Sequence, residues 1–254
     1  MKTHLLAVAS LLALLPVSAP ASDFFISEFL ADNDDTLDDH EGDSEDWIEL
    51  VNGSGSMLNL DGYFLTDDVT MPNKWALPAV VVNPGAYYLV FASGKDTSFP
   101  GGEYHTNFKL ANDGEYLALT KNDGSGSFEV VHEFAPYPPQ REDISYGSWG
   151  SGPTTGYMPT PTPRATNVEG VLGFVGDTSF SVDRGLFTAP FDLEITVDEP
   201  DATIRYTTDG SEPTATRGTV YTGPITISET TVIRAAGFLV DYLPTNIDTQ
   251  TYIF

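Results

Sequence analysis

Residues 31–50 read ADNDDTLDDHEGDSEDWIEL, with nine acidic side chains among the fifteen positions 32–46. Carboxylates this dense could gather a calcium ion, share protons in catalysis, or stay hydrated in a loop between strands. An EF-hand needs D-x-[DN]-x-[DN]-G with a closing Glu six residues beyond the Gly. Setting that Gly at Gly42 puts Leu37, Asp39 and Glu41 at ligand positions and Ile48 at the closing one, so the motif fails. Calcium also accepts oxygens in irregular, flexible geometry. The carboxylates that could hold it weakly are Asp34, Asp38, Asp39, Asp43 and Asp46, and calcium is the one cofactor left open. A solvated acidic loop is the competing reading.

Other chemistry finds less support. A nucleophile elbow needs G-x-S-x-G at a strand-to-helix turn, and no serine here has glycines at that spacing. Zinc sites want closely spaced His and carboxylates. After His4 the histidines are His40, His105 and His132, and neither HEGDS nor HEFAP supplies the second His of H-E-x-x-H. His132, in EVVHEF, reads as an exposed strand residue. The phosphate-binding G-x-x-x-x-G-K-[ST] loop is absent. Glycosidases pair two carboxylates across a cleft, but a chain with 37 acids always offers pairs. The sequence therefore predicts no catalytic residues and no enzyme. Trp75 and Trp149, in or near loops, could stack on sugar rings, with packing onto a sheet edge as the alternative.

Composition narrows the partners. A net charge of −26 repels nucleic acid, whose binding needs Lys and Arg on phosphates, and disfavours anionic membranes. There is no cysteine, so disulfides, thiolate metal sites and cysteine nucleophiles are excluded. Lys2 and His4 precede the apolar run LLAVASLLALL, ended by Pro16, and Ala19-Pro20-Ala21 offers an A-x-A cleavage site. That run is too short to span a bilayer. Residues 1–21 are thus expected to be a signal peptide cleaved near Ala21, leaving an extracellular or periplasmic protein without direct membrane insertion.

The elements that must position these residues are strands. DFFISEFLA, DWIELVN, GYFLTDD, AYYLVFAS, TNFKLA, EYLALTK and FEVVHEF are short apolar and β-branched runs separated by Gly, Pro, Asn and Asp. Asn112-Asp113-Gly114 and Asn122-Asp123-Gly124 suit turns with positive φ. This spacing predicts an antiparallel β-sandwich of immunoglobulin type over residues 22–149. Residues 150–172, rich in Gly, Pro, Ser and Thr, with Pro159, Pro161 and Pro163 alternating with Thr, predict an extended linker. A second, smaller sandwich is expected over 173–254, from FDLEITV, TIRYTTDG, TVYTGPITI, TTVIRAAGF and TQTYIF. The fold class is all-β: two immunoglobulin-like antiparallel sandwiches and a Pro/Thr/Gly-rich linker.

The run ISEFLA…DWIELVN…LDGYFLTDD…NPGAYYLVFASG…NFKLANDGEYLALTKNDG resembles the lamin-tail domain in its bacterial, exported form. PTPRATN resembles the short tail with which such domains end. IRYTTDGSEPT, VYTGPITI, TTVIRAAGF and the closing TYIF resemble the chitobiase/β-hexosaminidase C-terminal domain. These resemblances imply two β-sandwiches that bind or support without catalytic residues. Their order is similar to the front end of exported proteins that continue into a spore-coat CotH-type kinase domain. This chain departs from that pattern by ending at Phe254 without a kinase signature, so no phosphotransfer is implied. The expectation is a secreted binding or structural protein whose partner is a protein or polysaccharide of the cell envelope. The alternatives are a carbohydrate-binding accessory and the truncated front end of a kinase-like protein.

Overall fold

The computed structural model describes residues 24–149 and 154–254, so the signal-peptide reading lies outside the described residues. Among the described residues there is no helix, and none therefore long and apolar enough to cross a membrane. The molecule is all-β, built from antiparallel sheets with two short parallel pairings.

Strands β1 (Phe24–Leu30) and β2 (Trp47–Asn52) pair at the centre of a five-stranded sheet. Its order is Thr155–Met158, Ser145–Ser148, β1, β2, Tyr87–Phe91. The facing sheet runs Phe128–Phe134, Leu117–Asn122, Tyr63–Thr66, Trp75–Ala76. Because side chains alternate across a strand, Phe24, Ile26 and Phe29 meet Ile48 and Leu50 in the core, with Leu65, Leu117 and Leu119 opposite.

An antiparallel strand of a sandwich ordinarily wets one face. β2 does not: all six of its residues are buried. On the outer face Leu30, Trp47, Leu89 and Phe91 form a second apolar cluster, with Leu37 of the acidic loop packed on it. The loop is therefore a cover, drawn onto the sheet by apolar burial despite its charge.

A bulge interrupts β1, where the register shifts between Ile26 and Glu28. It brings the backbone close to the neighbouring strand, and Gly147 faces Glu28 across the ladder. A Cβ on Gly147 would lie 2.2 Å from the Ser27 carbonyl oxygen and 2.8 Å from the Glu28 Cα. Both are backbone atoms of β1 and cannot yield cheaply, so Gly147→Ala is expected to cost about 2 kcal/mol, the scale of overpacking. A urea melt with an unchanged m-value and a lower midpoint would confirm it.

The segment expected to be an extended linker is largely built into the first module. Thr155–Met158 adds to the sheet as an edge strand beside Ser145–Ser148. Tyr157 and Val171 exchange backbone hydrogen bonds of 2.8 and 2.7 Å. The part that pairs, Thr155–Met158, lies just before the alternating prolines, and tertiary pairing at the open sheet edge decided its conformation.

The second sandwich has a five-stranded sheet in the order Gly185–Leu186, Asp248–Ile253, Thr231–Phe238, Thr203–Thr207, Thr219–Val220. Short ribbons, Phe191–Leu193 with Ile225–Ile227 and Ser179–Phe180 with Ile195–Thr196, complete the barrier to water. Leu193, Ile204, Ile227, Ile233 and Tyr252 centre its core. At the junction the Arg141 guanidinium lies 3.9 Å from the Phe174 ring centroid, and Tyr157 packs on the same ring at 4.5 Å.

Candidate functional site

The acidic loop is folded by its own side chains. Asn33 Nδ2 donates to the carbonyls of Leu37 and Glu45 at 2.7 and 2.8 Å, drawing the two ends together. Asp39 Oδ1 accepts the backbone N–H groups of Glu41 and Asp43, at 2.8 and 3.0 Å, over a turn that passes through Gly42 at φ +85°. This arrangement aims the carboxylates of Asp39, Glu41 and Asp43 at one point, their oxygens within 4.8 Å of one another.

That point already holds a cation. The Lys95 ammonium, from the loop after Tyr87–Phe91, donates to Asp39 Oδ2 at 2.5 Å, Glu41 Oε2 at 2.9 Å and Asp43 Oδ2 at 3.0 Å, and lies 3.4 Å from Glu45 Oε1. The Asp39 side chain is fully buried and that of Lys95 partly so, at 23% exposed, whereas Glu41 and Asp43 remain wet. Burial alone would raise the Asp39 carboxyl; the Lys95 ammonium and the two backbone donors outweigh it and hold it below its ordinary value. The same carboxylates push Lys95 far up against its burial.

The five carboxylates proposed from sequence do not converge. Asp39 and Asp43 join Glu41 around Lys95. Asp38 faces solvent and accepts from Ser44 Oγ at 3.0 Å. Asp34 is exposed, and its backbone N–H is held by Asp143 Oδ1 at 2.9 Å. Asp46 sits apart; burial pushes it up to about 6, against the opposing pull of the Asn33 and Leu110 backbone donors.

Beneath the loop lies a polar chain that sequence spacing does not reveal. His105, fully buried, holds Ser93 Oγ on Nδ1 at 2.9 Å and Glu103 Oε1 on Nε2 at 3.0 Å. Its ring stacks on Phe91 with centroids 5.2 Å apart. Glu103 Oε1 also accepts the backbone N–H of His40 at 3.0 Å, tying this chain to the acidic loop. The order Ser–His–Glu is that of a nucleophilic triad. However, Ser93 is 4% exposed, so its hydroxyl has no approach for a substrate. The arrangement joins three loop segments.

A second buried pair sits on the same sheet. Glu28 and Glu49 face each other across β1 and β2, both fully buried. Glu28 accepts the Thr162 N–H and Thr162 Oγ1, each at 2.9 Å, and the Ser145 hydroxyl. Glu49 accepts Ser27 Oγ at 2.8 Å and the Arg164 N–H. Burial is the main cause that raises both carboxyls, Glu49 up to about 7, and each accepts only neutral donors.

The aromatic candidates are packing residues. Trp75 belongs to the first core. The Trp149 ring lies on Gly156 and Gly170, where an added Cβ would come within 2.7 and 2.8 Å of it. His132, read as exposed, is half-buried, and burial lowers its basicity. Lys95, Ser93, Glu103 and the glutamate pair all escaped the sequence reading. The one available signal was a lysine set in the most acidic module of the chain.

No curated protein matches the chain. Residues 17–132 match the family model described as Lamin Tail Domain, and residues 182–246 match that of the Chitobiase/beta-hexosaminidase C-terminal domain. Both families are immunoglobulin-like sandwiches, which agrees with the two observed cores. The chain thus matches a lamin-tail family followed by a chitobiase/β-hexosaminidase C-terminal family, both of them families of accessory rather than catalytic modules.

Proposed function

We propose that this protein is a secreted, non-catalytic binding or structural protein that acts at the cell surface or in the surrounding matrix. The observation that carries the non-catalytic part is the fate of its reactive-looking groups. Ser93, His105, Glu28 and Glu49 are buried and saturated by internal partners, and Lys95 already occupies the centre of the converging carboxylates. The signal-like N-terminus and the acidic composition support export. Purified protein should give background rates on glycosides, esters, phosphoesters and nucleoside triphosphates, with Ser93→Ala and Glu49→Gln no different from wild type. Turnover abolished by either substitution would overturn the non-catalytic reading. Fractionation of the producing cells, followed by pull-down from the envelope, tests location and partner.

A carbohydrate-binding role has one specific observation in its favour. The second module presents an open groove lined by Tyr206, Thr207, Asp209, Ser211, Arg217 and Thr219, a hydroxyl-rich surface with both charges and one aromatic ring. Co-sedimentation with insoluble polysaccharides that is weakened by Arg217→Ala would support it. Equal sedimentation of both proteins, or of neither, would remove it.

A further inference from the structure

Residues 161–167 cross the outer face of the first sheet, and polar contacts hold them there. Thr162 and Arg164 supply donors to Glu28 and Glu49. Asn167 Nδ2 donates to the carbonyls of Ser27 at 2.9 Å and Ser148 at 2.8 Å. Tyr87 Oη meets Thr166 Oγ1 at 3.1 Å. None of these seven residues is fully buried, and none belongs to an apolar core cluster. The ends are fixed separately, by Thr155–Met158 in the sheet on one side and by the Tyr157–Val171 bridge on the other. The segment can therefore lift without separating the strands beneath it.

We propose that residues 159–170 form a proton-sealed strap, seated while the Glu28–Glu49 pair holds a proton and lifted when both carboxylates ionise. Two adjacent anions in a dry site repel one another and each loses its hydration. Among the described residues no ammonium or guanidinium hydrogen-bonds to either carboxylate. The charged groups that face the pair are few: Arg164, whose exposed side chain attracts Glu49, and the two glutamates themselves. Ser145–Ser148 and Tyr87–Phe91, packed on either side, bring no charged residue. Glu169, on the strap itself, is exposed. Lifting the strap hydrates the pair, so the opened state favours the ionised form.

The direction follows from linkage. A buried carboxyl at about 7 against an ordinary 4.5 binds its proton more tightly when the strap is closed. The seal is complete below 4.5 and is lost as the pH rises through 7, with no further change above that from Glu49. The opening constant should rise by roughly tenfold per pH unit inside that window, as for any single coupled proton.

Hydrogen–deuterium exchange of the full chain, corrected for intrinsic rates, tests this on peptides covering 159–170. Between pH 5 and 7 their opening should rise by at least roughly thirtyfold, while Thr231–Phe238 in the second core changes little. Glu49→Gln should remove most of the rise, and Glu28→Gln with Glu49→Gln all of it. A pH-independent strap in the wild type, or an undiminished rise in the double variant, would overturn the proposal. Carboxyl carbon NMR of the wild type covers the case of a misfolded variant. Midpoints of both glutamates at the ordinary 4.5 would sink the seal, and a midpoint coinciding with strap opening would support it.

Discussion

Lys95→Met should lower the stability of the first module by about 3 kcal/mol at neutral pH. The substitution keeps the aliphatic stem and removes only the ammonium, so the loss is electrostatic. Exposed pairs are worth about 0–1 kcal/mol, and breaking a fully buried pair costs about 3–5 kcal/mol because the remaining charge is stranded. Asp39 is fully buried while Lys95 is 23% exposed, which places this site near the lower end of the second class. Glu41, Asp43 and Glu45 add repulsion once the cation is gone. A domain of this size should lose roughly 10 °C in melting temperature.

The pH window of that deficit follows from the two shifts. Asp39 is held below 3.8, so its pairing contributes fully above 3.8 and is lost as the pH falls through the lowered folded value. Lys95 is raised above 10.5, so its part is complete below 10.5 and fades only in stronger alkali. Wild type and variant should converge in acid and differ most between those limits. In the wild type, CaCl₂ and NaCl of equal ionic strength should shift the melt equally, because the ammonium occupies the centre of the cage. In Lys95→Met the three converging carboxylates are left without a counter-ion, and calcium should recover more than sodium does. A calcium-specific gain already present in the wild type would count against Lys95 as the resident cation.

His105→Ala should be the most damaging single change, at about 4 kcal/mol. The fully buried ring fills space between Phe91 and Phe99, with centroids 5.2 and 5.3 Å away. Truncating a buried aromatic ring costs about 3–5 kcal/mol through lost contacts and residual cavity. The buried Ser93 hydroxyl also loses its ring partner while still accepting the Lys95 N–H at 3.2 Å, and the lost hydrogen bond adds about 1 kcal/mol. Pairing the change with Ser93→Ala should recover part of the second term, since both ends of that hydrogen bond then disappear. Chemical denaturation of the two single variants and the double one measures this. If His105→Ala were near-neutral, the Ser93–His105–Glu103 chain would not be what ties the 93–105 loop to the sheet.

The sequence by itself determined the all-β character and the two modules' families. Alternating Phe, Ile and Leu around Gly, Asn and Pro punctuation admits few other solutions, and DWIELVN or IRYTTDG carries its module's identity over a few adjacent residues. Such signals are local, written within one strand and its turn. The rest depended on what folds onto what. Alternation along WIELVN turns Glu49 away from the core, toward what would be water, yet the 161–167 segment covers that face and Glu49 is fully buried. Lys95 lies 56 positions from Asp39, Ser145 lies 117 from Glu28, and Thr162 lies 134 from Glu28. No periodicity links positions so far apart. Residues 150–172 had the composition of a linker because a short Gly- and Thr-containing stretch is locally the same whether free or paired. Only the tertiary structure decided that Thr155–Met158 would find an open sheet edge. It also set Asp39 and Asp43, two of the carboxylates that a sequence reading assigns to calcium or to solvent, around a lysine, because burial forces a charge to find a partner.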